Sequence, residues 1–153
     1  RNLKDDQIEA IKKSKGLIGL NPYPFFIDNS FKERESKERN KYLDELNSIE
    51  RKYSNKTSQW IAKQHFLQKK LAEICPSIEV FVDHIEYVIN QIGIDYVGIG
   101  SDYDGLDCLP HSWNDCLDHM IIQESLEKRG YKYLEIEKIM GKNILRVLEE
   151  IYN

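Results

Sequence analysis

The chain has 153 residues, of which 41% are hydrophobic and 31% charged, with a formal net charge of −4. That composition supports a folded domain with its own core and excludes a disordered chain. It carries no basic excess with which to hold nucleic acid, and no apolar run approaches the roughly 20 residues that span a bilayer.

In chain order, Leu3, Ile8 and Ile11 recur at helical spacing over residues 5–15, with Asp6 and Glu9 as a capping box and Gly16 as the stop. Residues 17–21 are a short apolar run closed by Pro22 and Pro24, which reads as a buried strand. The following loop carries Tyr23, Phe25 and Phe26, either as core cover or as the lining of a ligand pocket. Residues 31–75 are rich in lysine, arginine and glutamate, with Tyr42, Leu46, Ile49 and Tyr53 at helical spacing. They predict an inserted helical hairpin, broken at residues 54–58, whose second helix bears Trp60, Leu67 and Leu71. Its mixed charges suit a solvated face, with a homodimer contact as the sharper alternative.

Ser77 can cap the next helix, whose apolar stripe is Phe81, Ile85, Val88 and Ile92 and whose stop is Gly93. Residues 96–101 then form a second buried strand that ends in Asp102, Asp104 and Gly105, as a parallel strand delivers acidic groups to the mouth of a site. A helix over residues 113–129, ended by Gly130, and two shorter helices around Ile136 and Leu148 complete the chain. Two parallel strands are too few for an ordinary sheet. The pattern fits either a helical domain with a small sheet or, as the strand type favours, the back part of a larger α/β fold.

Few motifs carry chemistry. An EF-hand counted from Asp102 needs glycine where Asp107 stands and glutamate where Trp113 stands. His111, Asp115 and His119 follow i, i+4, i+8 spacing, but Pro110 and Ser112 place the helix start after His111, and a solvated face is the simpler reading. His84 flanks the apolar stripe and reads as a packed or backbone-bonded histidine, while His65 has no partner spacing. Cys75, Cys108 and Cys116 form no paired motif and leave an odd thiol, which favours a reducing, cytoplasmic setting. The chain begins at Arg1 without an initiator methionine, so a signal or a whole half of the protein can lie upstream.

Several blocks occur together: Arg1, Asn2, Leu3, Asp5 and Asp6; Gly16 to Asn21 with Tyr23; Val82, Asp83, His84 and Ile85; Gly93 with Asp95 and Val97 to Asp102, Asp104 and Gly105; Lys128 to Tyr131; and Gly141, Asn143, Arg146 and Val147. In this order they resemble the C-terminal half of the membrane (renal) dipeptidase family of zinc peptidases, over essentially the whole chain apart from the hairpin. The resemblance implies a TIM-like (β/α)8 barrel, of which residues 1–153 supply the last two strands plus helices, and a two-zinc site that hydrolyses dipeptides with metal-activated water. It implies that Asp102 is the acid/base carboxylate, that Arg1 holds the C-terminal carboxylate of the substrate, and that Tyr23 hydrogen-bonds it in the pocket. His84, Asp104, Gly105 and Asn143 match as framework. The family's zinc ligands, an HxD motif, a bridging glutamate and two histidines, would all precede Arg1, so no metal ligand is assigned here. The N-terminal half of the same enzyme is then an expected partner, and this segment alone is expected to be inactive. The alternative is a non-catalytic helical interaction module, or an enzyme relic, in which the charged hairpin is the contact surface.

Overall fold

The computed structural model describes residues 2–106 and 108–152, the side chain of residue 104 excepted. Among them, strands β1 (Ile18–Leu20) and β2 (Val97–Ile99) pair in parallel, with Ile18 opposite Val97, Gly19 opposite Gly98 and Leu20 opposite Ile99. Each is shorter than its apolar run, and the backbones stay close just past their ends. The Gly100 N–H donates to the Leu20 carbonyl at 2.8 Å. A Cβ on Gly100 would lie 3.1 Å from the Gly19 carbonyl oxygen, a tight contact that glycine removes.

Helix α1 (Asp5–Lys13) carries Asp5 and Asp6 in its first turn and Lys12 and Lys13 in its last, which suits the helix dipole. Its cap lies two residues earlier than the Asp6/Glu9 pair, because Lys4 N–H donates to Gln7 Oε1 at 2.9 Å. The left-handed residue after it is Lys15, at φ 57°, rather than Gly16. Helix α2 (Pro24–Ile27) is a single turn in the predicted aromatic loop.

Three helices then occupy the charged stretch: α3 (Phe31–Asn40), α4 (Leu43–Lys52) and α5 (Lys56–Leu71). The break before α5 falls where the sequence places it, and Asn55 caps α5 by accepting Ser58 N–H at 2.8 Å. The part before that break is two helices rather than one. Tyr42 turns the chain there, its ring 5.7 Å from Phe66 and beneath the Lys70 ammonium at 4.9 Å. Phe31, Leu46, Leu67, Leu71 and Cys75 form a local core, which Cys108, from beyond β2, joins.

Helix α6 (Ile78–Ile92) lies at the centre of the larger core, with Phe81, Val82, Ile85, Val88 and Ile92 buried as its stripe predicts. Gly93 ends it at φ 101°. Helix α7 (Met120–Lys128) packs against it. The Arg129 guanidinium fastens the pair, donating to Glu79 Oε2 and Asp83 Oδ1 at 2.7 Å each and to Glu86 Oε2 at 2.5 Å. The predicted helix over 113–129 therefore starts late. Asp118 Oδ2 accepts Asn114 N–H at 2.8 Å, and Asp115 Oδ1 accepts Leu117 N–H at 2.8 Å, so side chains claim backbone groups that a helix would need.

Helix α8 (Tyr133–Glu137) passes through a π-helical segment, residues 138–142, into α9 (Asn143–Tyr152). The widened turn points the buried Asn143 side chain inward. Its Nδ2 donates to the Ile94 carbonyl at 2.7 Å and to the Val97 carbonyl at 2.8 Å, locking α9 to the entry of β2. One buried and one half-buried carbonyl thus depend on one amide, so Asn143→Ala is expected to cost about 2–3 kcal/mol. Urea unfolding of the two proteins checks this, and an unchanged midpoint would refute the brace.

Candidate active site

Asp102 stands just past the C-terminal end of β2, and Asn21 just past that of β1, so the parallel register brings residues far apart in sequence to one mouth. Asn21 Nδ2 donates to Asp102 Oδ2 at 3.0 Å. Asn21 Oδ1 in turn accepts the Tyr23 N–H at 2.8 Å, so the amide has its orientation fixed from both sides. Asp102 itself is left-handed, at φ 52° and ψ 36°, a region aspartate enters more readily than most residues. Its carbonyl accepts Gly105 N–H at 2.9 Å. A Cβ on Gly105 would lie 2.4 Å from Asp102 Oδ1, so glycine is the residue that leaves room for this carboxylate. Asp102 is solvent-exposed, with Oδ2 held by Asn21 and Oδ1 lying over Gly105.

The Tyr23 ring lies 5.1 Å from both Phe25 and Phe26, and it packs with Phe25 on the local core of the charged stretch. Phe26 faces the other way, into a cleft of about 590 Å³ that runs beside β1 past Ile18, Leu20 and Asn21. The aromatic loop is therefore core cover and cleft lining at once. Arg1 and the Asp104 side chain lie outside the described residues. His84 is backbone-bonded, donating from Nε2 to the Ile27 carbonyl at 3.0 Å.

Beyond Asp102, Tyr103 opens an aromatic group that the sequence did not reveal. Trp113 Nε1 donates to the Tyr103 hydroxyl at 2.8 Å, and that hydroxyl donates to the Asp115 carbonyl at 3.1 Å. The His119 imidazole stacks on Tyr103 at 5.7 Å and meets Trp113 edge-on at 5.3 Å. Burial pushes the Tyr103 hydroxyl above, and the His119 imidazole below, their ordinary values.

The membrane dipeptidase model (Peptidase family M19) matches residues 1–153. The chain belongs to this family. Dipeptidase tcpJ of Claviceps purpurea (strain 20.1) is 37% identical over 75 residues, which cover 49% of this chain and 18% of that protein. The probable dipeptidase PvdM from Pseudomonas aeruginosa has the same fold over 95% of this chain and 40% of its own, with a TM-score of 0.64 at 24% identity. A metallo peptidase from Rhodobacter sphaeroides, liganded with a phosphinate mimic of the dipeptide L-Ala-D-Ala, matches over 97% of this chain and 31% of its own, with a TM-score of 0.63 at 23% identity. The matched stretch is less than half of each of these proteins. The helix-rich α/β fold with two parallel strands is thus one that M19 dipeptidase structures share.

Membership of this metallopeptidase family implies a metal, generally zinc. The described residues do not fit one by themselves, since no three or more of their His, Cys, Asp and Glu side chains are grouped to hold an ion. His111, Asp115 and His119 do not share a helical face. His111 pairs by backbone with Ser77 and by Nδ1 with Ser112 Oγ at 2.8 Å, Asp115 caps a 3-10 turn, and His119 is stacked at the end of that turn. Among the described residues no helix is long and apolar enough to cross a membrane.

The His119 shift has a sign that can be measured. Because its folded value is below the ordinary 6.5, the unfolded chain binds the extra proton, and stability is lost as pH falls through about 6.5 toward the folded value. His119→Phe keeps the aromatic stack without the titration. Its melting temperature is expected to vary less than that of the parent between about pH 5 and 6.5. Parallel curves over that window would show that His119 does not titrate as argued.

Proposed function

We propose that this chain is the C-terminal segment of a zinc-dependent dipeptidase, with β1 and β2 as the seventh and eighth strands of a TIM-like (β/α)8 barrel and residues 31–75 as an insertion. The observation that carries this reading is the Asn21–Asp102 bond at the C-terminal ends of two parallel strands, where barrels of this kind keep their chemistry. Family membership of the whole chain supports the same conclusion.

Two further features favour completion by an N-terminal half. The cleft beside β1 is lined by Ile18, Gly19 and Leu20 and by no residue of β2. Helix α9 leaves Leu145, Ile151 and Tyr152 exposed by 57%, 68% and 82%, an apolar face that suits burial against further chain. In this reading two zinc ions are held by residues outside this chain, and the segment alone is inactive.

The chain's own residues supply binding and proton handling. The Asp102 carboxylate takes a proton or pairs with the substrate's ammonium, and Asn21 fixes the direction in which its second oxygen points. The Arg1 guanidinium forks onto the C-terminal carboxylate of the dipeptide, and the Tyr23 hydroxyl hydrogen-bonds the substrate.

In the assembled enzyme, Asp102→Asn is expected to lower kcat for L-Ala-D-Ala by a factor of about 100 or more with the fold intact. Gly105→Ala should act in the same direction by displacing that carboxylate. Steady-state hydrolysis with circular dichroism as the folding control checks both, and near-normal turnover of Asp102→Asn would sink the assignment. The 153-residue chain assayed alone should release no amino acid from the dipeptide, whereas turnover by it would exclude the segment reading.

A further inference from the structure

A second cleft, of about 620 Å³, lies between α5 and the loop that follows β2. One wall is a single face of α5, where Trp60, Ile61, Gln64, His65 and Gln68 recur at the spacing of helical neighbours. The facing wall is Tyr103, Leu106 and Leu109, with Asn114 to Cys116 at the rim. Gln68 Nε2 reaches across to the Asn114 carbonyl at 3.4 Å.

This face of α5 is costly to leave in water. Trp60 and Ile61 are 48% and 43% exposed although α5 buries Leu67 and Leu71 in the local core below. The opposite wall is held in place, because the Tyr103 hydroxyl is fixed between the Trp113 indole and the Asp115 carbonyl and its ring is stacked on His119. The volume falls within the range of small-molecule sites, about 300–1,000 Å³, and the lining combines apolar side chains with a few polar ones, as such sites do. Tyr103 also follows Asp102 directly in the chain, so one wall of the cleft begins at the residue next to that carboxylate.

We propose that this cleft is the specificity pocket of the site, receiving a bulky apolar or aromatic side chain of the dipeptide, with Trp60 and Ile61 as its specificity-determining residues. The assignment rests on the dipeptidase reading for the identity of the ligand, but the cleft's preference for an apolar side chain can be measured without catalysis. An aromatic ring held against Trp60 and Leu106 removes more apolar surface from water than a methyl group does.

Two experiments test it. The first titrates the 153-residue chain with N-acetyl-phenylalanine amide and, separately, N-acetyl-alanine amide while tryptophan emission is read. Trp60 lines the cleft and Trp113 is bonded to the Tyr103 hydroxyl on its other wall, so the titration is repeated on Trp60→Phe, in which the response of Trp60 is lost. A blue shift with the phenylalanine compound alone, abolished by Leu106→Arg, is expected. No shift, or an equal shift with both compounds, overturns the pocket.

The second measures kcat/KM of the assembled enzyme for Phe-Ala, Ala-Phe and Ala-Ala. Trp60→Ala should lower the value for one phenylalanine dipeptide about tenfold more than for Ala-Ala. A uniform loss, or no loss, overturns the specificity role while leaving the dipeptidase reading intact. If the parent enzyme cleaves none of the three but the selective fluorescence response persists, the dipeptidase reading fails and the apolar side-chain site stands.

Discussion

The parallel pairing of β1 with β2 is the constraint from which the rest follows. Three residues on each strand are too few to hold one another, so their faces must be covered and their ends fastened. Ile144 of α9 and Leu17 approach so closely that a Cβ on Gly98 would lie 3.2 Å from each, and Asn143 ties α9 to the carbonyl of Val97. Gly19 and Gly100 let the two backbones converge where the strands end. The convergence matters for function because it carries Asn21 to within a hydrogen bond of Asp102.

That bond places a carboxylate by a chain of small requirements, each met by a specific residue type. Left-handed backbone at Asp102 turns the side chain toward β1, the lack of a Cβ at Gly105 leaves the space, and the Asn21 amide, itself oriented by Tyr23 N–H, supplies the donor. A side chain held by packing and hydrogen bonds loses less freedom when it acts, which is the condition for proton transfer at a fixed point.

The charged stretch is also built around this mouth. Its helices carry a core of their own, yet Cys108 completes that core from beyond β2, and Tyr23 and Phe25 lie against it. The aromatic group of Tyr103, Trp113 and His119 then lends rigidity to the loop opposite α5. Polar anchors in an apolar setting are favourable only when they are satisfied, and the Trp113 and Tyr103 donors both find oxygen acceptors.

Local pattern was enough for the parallel strands, the stripe and glycine stop of α6, the break before α5 and a His84 that is packed or backbone-bonded, because spacing along the chain governs each of them. The blocks that resemble the dipeptidase family were equally readable, since a family is recorded in the order of its residues. The turn at Tyr42 and the late start of α7 were not readable, because a cation and a ring from α5 settle the first and side-chain bonds around Asp115 and Asp118 settle the second. Asn21 shows the division most sharply. Its position at the end of a strand is a property of the sequence, but its bond to a carboxylate 81 residues away exists only through the register of two strands. The cleft opposite α5 was hidden for the same reason. One face of that helix feeds a core and another faces the loop after β2, so its apolar residues follow no single stripe, and only the folded chain decides which of them meets Tyr103.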